Sequence, residues 1–186
     1  MYSTAEFRKG LKIEIDGAPL VIVDFQHVKP GKGGAFVRTK LKNLISGRVV
    51  EQTFRSGEQV KRPDLMEREM EYLYREDSRY CMMDQETYEQ IFLTGDQLGE
   101  ARQFLVENLK LKVMFFNQQP VAVELPNFVE LNVAQAEPGV RGDTASGGTK
   151  PATLESGAVI QVPLFISEGD RVKVDTRTGA YIERLK

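Results

Sequence analysis

The sequence contains one cysteine, one histidine and no long run of apolar residues. Cys81 cannot form an internal disulfide, and with His27 as the single histidine the usual Cys/His zinc sites are excluded. A membrane-spanning helix needs about 20 apolar residues, and no segment supplies them. The first ten residues lack the basic-then-apolar order of a secretory signal. We therefore expect a cytoplasmic protein with no metal and no cofactor, in which Cys81 is a small buried hydrophobic residue.

Recognisable catalytic arrangements are missing as well. No carboxylate or nucleophile stands at a recognisable spacing from His27, so a general acid–base role for this residue has no support. The phosphate-binding pattern Gly-x-x-x-x-Gly-Lys-Ser/Thr is also absent. The sequence predicts a protein that is not an enzyme.

The residues that are present favour a globular protein with an uneven charge. Of 186 residues, 41% are apolar and 28% are charged, which is enough apolar material for packed cores. Residues 1–62 hold 12 Lys and Arg against 6 Asp and Glu, residues 63–127 hold 6 against 13, and residues 128–186 hold 7 against 8. The basic first segment suggests a local contact with a polyanion.

The basic surplus is concentrated between His27 and Arg48, where no acidic residue occurs. The cations of this stretch are Lys29, Lys32, Arg38, Lys40, Lys42 and Arg48. Apolar residues alternate with cations over residues 37–42, so a β-strand there would expose Arg38, Lys40 and Lys42 on one face and pack the other face inward. Such a cationic face is either a solvated surface or a surface that binds RNA.

Turn-forming residues divide the chain into three predicted domains. Proline and glycine clusters near residues 56–64 and at Pro126-Asn127 mark the two boundaries. The predicted domains are residues 1–63, 64–126 and 127–186. Each is the size of a small β-barrel such as the oligonucleotide-binding (OB) fold.

Alternating apolar residues predict that all three domains are mainly β. The middle domain should also contain two short helical stretches, around residues 87–92 and 98–109. In the third domain, strand-like runs occur at residues 129–133, 159–166, 171–174 and 181–184. The predicted fold class is therefore mainly β, with three small barrels in a row.

A glycine-rich loop separates two strand-like runs of the first domain. Its residues, Lys29, Pro30, Gly31, Lys32, Gly33 and Gly34, have the composition of a turn. Lys32 is the long side chain at its centre. A loop this thin can enter a narrow space lined by RNA, where one flexible ammonium group would contact phosphate or ribose.

A second polar loop, residues 141–151, lies in the third domain. Its small residues leave many backbone amides free to bind an anion or a nucleotide edge. The alternative is an ordinary flexible hairpin loop. The candidate RNA contacts in this loop are Gly142, Asp143, Thr144, Gly147, Gly148, Thr149 and Lys150.

Both loops resemble motifs of one family. The stretch from His27 to Arg38, followed by Lys40-Leu41-Lys42-Asn43, is similar to the tip-loop motif of bacterial elongation factor P. The stretch from Gly142 to Ala152, continued by Glu155-Ser156-Gly157-Ala158 and Val162-Pro163, resembles the signature of the third domain of that family. The three-domain layout and the ending from Tyr181 to Arg184 agree over essentially the whole chain.

The resemblance implies an N-terminal SH3-like, or KOW-like, barrel followed by two OB barrels, in an L-shaped arrangement similar to transfer RNA. It implies binding to both ribosomal subunits, between the peptidyl and exit sites, with contacts to peptidyl-tRNA and initiator tRNA. Lys32 would approach the peptidyl-transferase centre, and the loop from Gly142 to Lys150 would lie near messenger RNA. Tyr181 and Arg184 would contact RNA at the far end of the molecule. We expect a monomer without membrane contact.

The family relieves stalling at consecutive prolines and stimulates peptide-bond formation. In relatives the tip residue often carries an enzymatic extension, β-lysyl or aminopentanol on a lysine and rhamnose on an arginine, so an enzyme that modifies Lys32 is an expected partner. A divergent paralogue that rescues other stalls is one alternative function. A general single-stranded RNA-binding protein is another, since OB barrels and a basic strand suit that role too.

Overall fold

The computed structural model describes residues 1–139 and 148–186. Within these residues, sixteen strands form four sheets, and helix is confined to three short segments, which confirms the mainly-β prediction. The chain divides into two compact units, residues 1–67 with 114–122 and residues 68–113 with 123–186. Among the described residues, no helix has the length and apolar character needed to cross a membrane.

The first sheet has four strands in the order β2-β3-β4-β5. They are β2 (Lys12–Ile15), β3 (Ala18–Val28), β4 (Phe36–Asn43) and β5 (Val49–Arg55). A further pair joins β1 (Tyr2–Ser3) to β6 (Gln59–Val60). Asp16 and Gly17 both adopt positive φ in the two-residue turn between β2 and β3, as a tight hairpin with the strand twist requires. The core consists of Phe7, Leu11, Ile13, Leu20, Ile22, Val37, Leu41, Phe54 and Val60.

The second sheet has the order β11-β10-β7-β8-β9. Its strands are β7 (Leu65–Glu76), β8 (Arg79–Asp84), β9 (Gln90–Thr94), β10 (Lys110–Phe116) and β11 (Gln119–Glu124). The helical segments between β9 and β10 are α1 (Gly95–Leu98) and a 3-10 helix (Gly99–Phe104). Cys81 is fully buried in β8, as the sequence predicts.

The helical prediction around residues 87–92 is wrong. Asp84 Oδ1 accepts hydrogen bonds from the backbone N–H groups of Glu86 at 2.8 Å and Thr87 at 3.1 Å, so the carboxylate holds a turn there instead. Tyr88 adopts φ 62° in that turn, and β9 begins at Gln90. The second predicted stretch, residues 98–109, is helical only as far as Phe104.

The third sheet has the order β14-β13-β12-β15-β16. Its strands are β12 (Phe128–Ala136), β13 (Thr149–Leu154), β14 (Val159–Pro163), β15 (Arg171–Asp175) and β16 (Ala180–Leu185). The predicted extent of the second loop needs correction, because residues 149–151 belong to β13. Their polar composition conceals a strand in which Lys150, Ala152 and Leu154 take the buried positions.

The core of the third sheet includes a residue from the preceding domain. Phe104, at the end of the 3-10 helix, is 2% exposed and packs with Val129, Leu131, Val172 and other apolar residues of this sheet. Residues 68–113 and 123–186 accordingly belong to one compact unit.

Candidate nucleic-acid interface

The glycine-rich loop joins the two longest strands of the first sheet. Val28 pairs with Phe36 at the last rung of the β3–β4 ladder, so residues 29–35 form the connection. Every residue from Lys29 to Gly34 is exposed. Gly33 adopts φ +97°, a conformation that favours glycine, and a Cβ added at Gly31, Gly33 or Gly34 would meet no atom within 4 Å.

The Lys32 side chain is exposed at the centre of this loop. Across residues 1–139 and 148–186, neither Lys29 nor Lys32 takes part in an ion pair or side-chain hydrogen bond. A lysine in this setting keeps full freedom of its four-carbon stem and presents a hydrated point charge. It can therefore meet a ligand or a modifying enzyme without first breaking an internal contact.

Strand β4 carries the cationic face behind the loop. Along this strand Val37, Thr39 and Leu41 are buried, whereas the alternate residues are exposed. The exposed residues are Arg38, Lys40 and Lys42. The Thr39 hydroxyl donates a hydrogen bond to the Gln52 carbonyl at 2.7 Å, which satisfies the one polar group of the buried face. The predicted strand and its two faces are confirmed, while the RNA contacts of the three cations stay a prediction.

Acidic residues are scarce beside this cationic face. Asp24 on β3 and Glu51 on β5 stand opposite Lys40 in the sheet. Asp24 is paired with Lys9, with its Oδ1 3.5 Å from Nζ. The face therefore keeps a net positive charge suited to phosphate.

The second loop lies only partly within the described residues. Gly142, Asp143, Thr144 and Gly147 lie outside them. Thr149 is exposed at the start of β13, and its hydroxyl lies 3.2 Å from Oε1 of Gln161. Gly148 is half-buried.

Lys150 occupies a different environment from the other predicted cations. It is 9% exposed, faces inward on β13 opposite Val162, and its Nζ donates a hydrogen bond to the Glu137 carbonyl. This bond joins the segments on either side of residues 140–147. In the free protein Lys150 is therefore placed to hold the base of the loop, and its predicted contact with RNA would require that bond to break.

Tyr181 and Arg184 lie on β16 in different surroundings. Tyr181 is half-buried against the core of the third sheet. The Arg184 guanidinium lies 5.3 Å from the ring centroid of Phe165, which is 60% exposed, and its Nη1 is 3.9 Å from Asp170 Oδ2. Sequence reasoning missed Phe165, because the strand-like run predicted at residues 159–166 includes it, whereas β14 ends at Pro163 and leaves this ring exposed.

A second exposed aromatic residue was also missed. Phe128 is 43% exposed, and its ring lies 5.0 Å from Lys173 Nζ and 5.5 Å from the Arg177 guanidinium carbon. Arg177 also donates two hydrogen bonds to the Asp175 carboxylate, from Nε to Oδ1 at 3.1 Å and from Nη2 to Oδ2 at 2.9 Å. These bonds lower the pKa of the Asp175 carboxyl and raise the pKa of Arg177. The signal in the sequence is that Phe128 is apolar although it occupies the same outward-facing alternation as Glu130 and Asn132.

Models of known protein families match three successive parts of the chain. The matching models are described as the elongation factor P KOW-like domain, over residues 3–60, the elongation factor P OB domain, over residues 65–123, and the elongation factor P C-terminal domain, over residues 129–184. Among relatives named elongation factor P, that of Natranaerobius thermophilus is 58% identical over 186 residues, covering 100% of this chain and 99% of the relative. That of Moorella thermoacetica is 56% identical over 184 residues, covering 99% and 100%.

Solved structures give the same fold. The eukaryotic translation initiation factor 5A from Methanococcus jannaschii superposes with a TM-score of 0.55 at 23% identity, over 67% of this chain and 93% of that chain. Together the KOW-like and OB domains and the full-length relatives define a translation elongation factor, which is not an enzyme. The chain belongs to the elongation factor P family. The resemblance, the fold class and the non-enzymatic role predicted from the sequence are confirmed.

Proposed function

We propose that this protein binds the ribosome between the peptidyl and exit sites and positions peptidyl-tRNA through the Lys32 loop. It thereby stimulates peptide-bond formation and relieves stalling at consecutive prolines. Membership of the family supports the role in elongation. The single observation that carries the specific mechanism is the exposed Lys32 in the seven-residue connection of the β3–β4 hairpin.

The physical reason lies in the substrate. Proline is a constrained secondary amine, and misplacement of either reacting end raises the barrier to peptide-bond formation. Holding the acceptor end of peptidyl-tRNA near attack geometry removes part of the entropic cost of the reaction. The ribosome remains the catalyst, so Lys32 needs to contact and restrain, not to react.

The other contacts follow the same hypothesis. Arg38, Lys40 and Lys42 neutralise phosphates of peptidyl-tRNA or initiator tRNA, because backbone contacts fix register and orientation. The third domain lies on the small subunit with the loop from Gly142 to Lys150 near messenger RNA. The protein acts in the cytoplasm as a monomer and has the predicted boundaries at residues 63 and 126.

Lys32 is also the proposed acceptor for an enzymatic extension. Its exposure and its freedom from internal contacts leave the ε-amino group open to a modifying enzyme. A longer tip would extend the reach of the loop without any change in the fold. Intact mass measurement of the protein from its own cells, followed by peptide mapping of residues 29–38, would identify the extension.

The test is synthesis of a reporter with three consecutive prolines in a purified translation system. We expect the native, fully modified protein to restore full-length product and Lys32→Ala to lose that rescue. Lys61→Ala is the matched control, since Lys61 is an exposed lysine of the same unit that sits away from the loop in sequence. Equal rescue by Lys32→Ala and the native protein would contradict the tip mechanism.

General binding of single-stranded RNA is the second candidate, favoured by the OB domain and the cationic strand. It predicts broad binding of free RNA with steep salt dependence and no need for Lys32. If the native protein fails to rescue the proline reporter yet binds free RNA in this way, the second function replaces the first. Rescue of other stalls would instead indicate the divergent paralogue.

A further inference from the structure

The outer face of the second sheet carries a row of three side chains that the proposed function does not use, of which the two aromatic ones are partly exposed. Tyr74 on β7, Cys81 on β8 and Phe92 on β9 are register partners across three neighbouring strands, so their side chains share one face. Cys81 is fully buried, while Tyr74 is 42% and Phe92 37% exposed. The two rings meet edge to face, with centroids 6.4 Å apart and planes at 74°.

Hydrogen bonds hold this row in place. A bond with the Cys81 side chain raises the pKa of the Tyr74 phenol above its ordinary value, and the Cys81 thiol donates to Gln90 Oε1 at 3.6 Å. The Gln90 amide nitrogen keeps two N–H donors at the edge of the row. The edge-to-face contact between Tyr74 and Phe92 is thus present in the protein without a ligand.

A guanidinium group covers one face of the Phe92 ring. The Arg79 guanidinium carbon lies 4.6 Å from the ring centroid of Phe92, although the Arg79 side chain is 55% exposed. Nucleobases stack on aromatic rings and on guanidinium planes alike. The outer face of the Arg79 guanidinium, supported from beneath by the Phe92 ring, can therefore stack with a base.

The carboxylates on this face are already engaged. Glu76 Oε2 lies 3.2 Å from Arg79 Nη2, and Glu71 Oε2 accepts a hydrogen bond from Gln85 Nε2 at 3.0 Å. Both carboxylates thus have a partner within the protein and do not require a basic ligand. The observations therefore favour a base with a π-face and hydrogen-bonding edges over a basic protein segment.

We propose that the outer face of β8 and β9 binds an unpaired nucleobase of RNA, with Phe92 and Arg79 as the stacking surface and Gln90 as a donor to the base edge. The residues lie on the second and third strands of the matched OB domain, and the corresponding face of OB folds binds oligonucleotides. The proposal does not depend on the role of Lys32.

The charge of this segment determines how the ligand is held. Residues 63–127 carry 13 acidic against 6 basic residues. Contacts to RNA phosphates therefore add little binding free energy here, and stacking must supply the affinity. Binding at this face should therefore depend weakly on salt, whereas binding at β4 should depend steeply on it. An extruded base in a folded RNA suits such a site better than a long single strand.

The test uses the full chain with Arg38, Lys40 and Lys42 changed to glutamine, which suppresses binding at β4. The probes are an RNA hexamer of alternating adenine and uracil, the same hexamer without bases, and a decamer of lysine and arginine. We expect the first RNA to shift the amide resonances of Arg79, Cys81 and Phe92 saturably in nuclear magnetic resonance spectra. The abasic hexamer and the basic peptide should not.

Substitutions at Phe92 and Arg79 test whether these two side chains bind the hexamer. Phe92→Leu should weaken binding of the hexamer about tenfold, because it removes the aromatic ring that supports the stacking guanidinium, while Phe92→Tyr should stay within about twofold. Arg79→Gln changes an exposed side chain and should weaken binding severalfold even if Phe92→Leu lowers stability. Equal binding of the abasic hexamer, unchanged affinity in both Phe92→Leu and Arg79→Gln, or shifts caused by the basic peptide alone would overturn the proposal.

Discussion

Asp84 is a charged residue that the fold uses as a structural anchor. Its side chain is 5% exposed, accepts the two backbone N–H bonds of the turn before β9, and lies 3.6 Å from Arg68 Nη1. The bonds from Glu86 and Thr87 are the main reason that the pKa of Asp84 is lowered in the folded protein, and Arg68 adds to the effect. The carboxylate form is thus tied to the native turn.

This arrangement predicts acid sensitivity. An unfolded Asp has a pKa of about 3.9, so the stabilisation is complete above that pH and disappears as the pH falls through the lower folded pKa. Asp84→Asn keeps an acceptor oxygen but not the charge. We expect its melting temperature to lie below that of the native protein at pH 7 and the difference to narrow between about pH 5 and pH 2, measured by thermal unfolding followed by circular dichroism.

The exposed carboxylate of Glu89 in the same turn gives the control. Glu89→Gln should leave the melting temperature and its pH profile nearly unchanged. If the gap between Asp84→Asn and the native protein were the same at both ends of the pH range, the turn would not depend on the charge of Asp84.

At the scale of elements, the two faces of β4 differ in their surroundings: one lies in the core and the other is exposed. Its inward residues build the core, while its outward cations are free of packing demands. Replacing Arg38, Lys40 and Lys42 together by glutamine should therefore leave the fold intact. We expect weaker binding to ribosomes, and a salt dependence of log K that is shallower by about 0.7 to 0.9 for each phosphate that the variant no longer neutralises.

Two other exposed lysines provide a matched comparison for this triple variant. Lys9 and Lys61 lie in the same unit and pair with Asp24 and Glu14. Their replacement by glutamine should change the salt slope much less. An equal loss of binding in both variants would mean that β4 contributes only general charge.

The same elements show which features a sequence can predict. The faces of β4 could be predicted because alternation of period two is imposed by strand geometry and by one buried side. β9 could not be recognised as easily, since the turn before it depends on a side-chain bond from Asp84. β13 was not recognised because a lysine, Lys150, occupies one of its buried positions, where the ammonium group donates a hydrogen bond to the Glu137 carbonyl.

At the scale of the whole molecule, one side chain of the middle segment packs in the core of the third sheet. Phe104 comes from the 3-10 helix of the middle segment but packs in the core of the third sheet. No periodicity in residues 98–109 indicates which core the Phe104 ring enters. The turn-forming residues at Pro126-Asn127 therefore predict a domain boundary, whereas the packing of Phe104 joins the segments on its two sides. We therefore expect residues 68–113 and 123–186 to unfold together.

Phe104→Ala tests this coupling. Removing a buried phenyl ring typically costs about 3–5 kcal/mol, and we expect hydrogen exchange to accelerate in β12 and β15 as well as near residue 104. Phe165→Ala removes a ring that is 60% exposed and should change stability by about 0.5 kcal/mol or less. Faster exchange confined to residues 95–110 would show that the two segments unfold independently.

The open space around Gly31 and Gly34 has a consequence beyond the protein itself. Gly33 needs glycine for its torsion, but neither torsion nor packing within the chain excludes a methyl group at the other two positions. Under the proposed function, intolerance of alanine there would come from the walls of the ribosomal cavity that the loop is proposed to enter. Side chains of increasing size at residues 31 and 34 would then measure the width of that cavity.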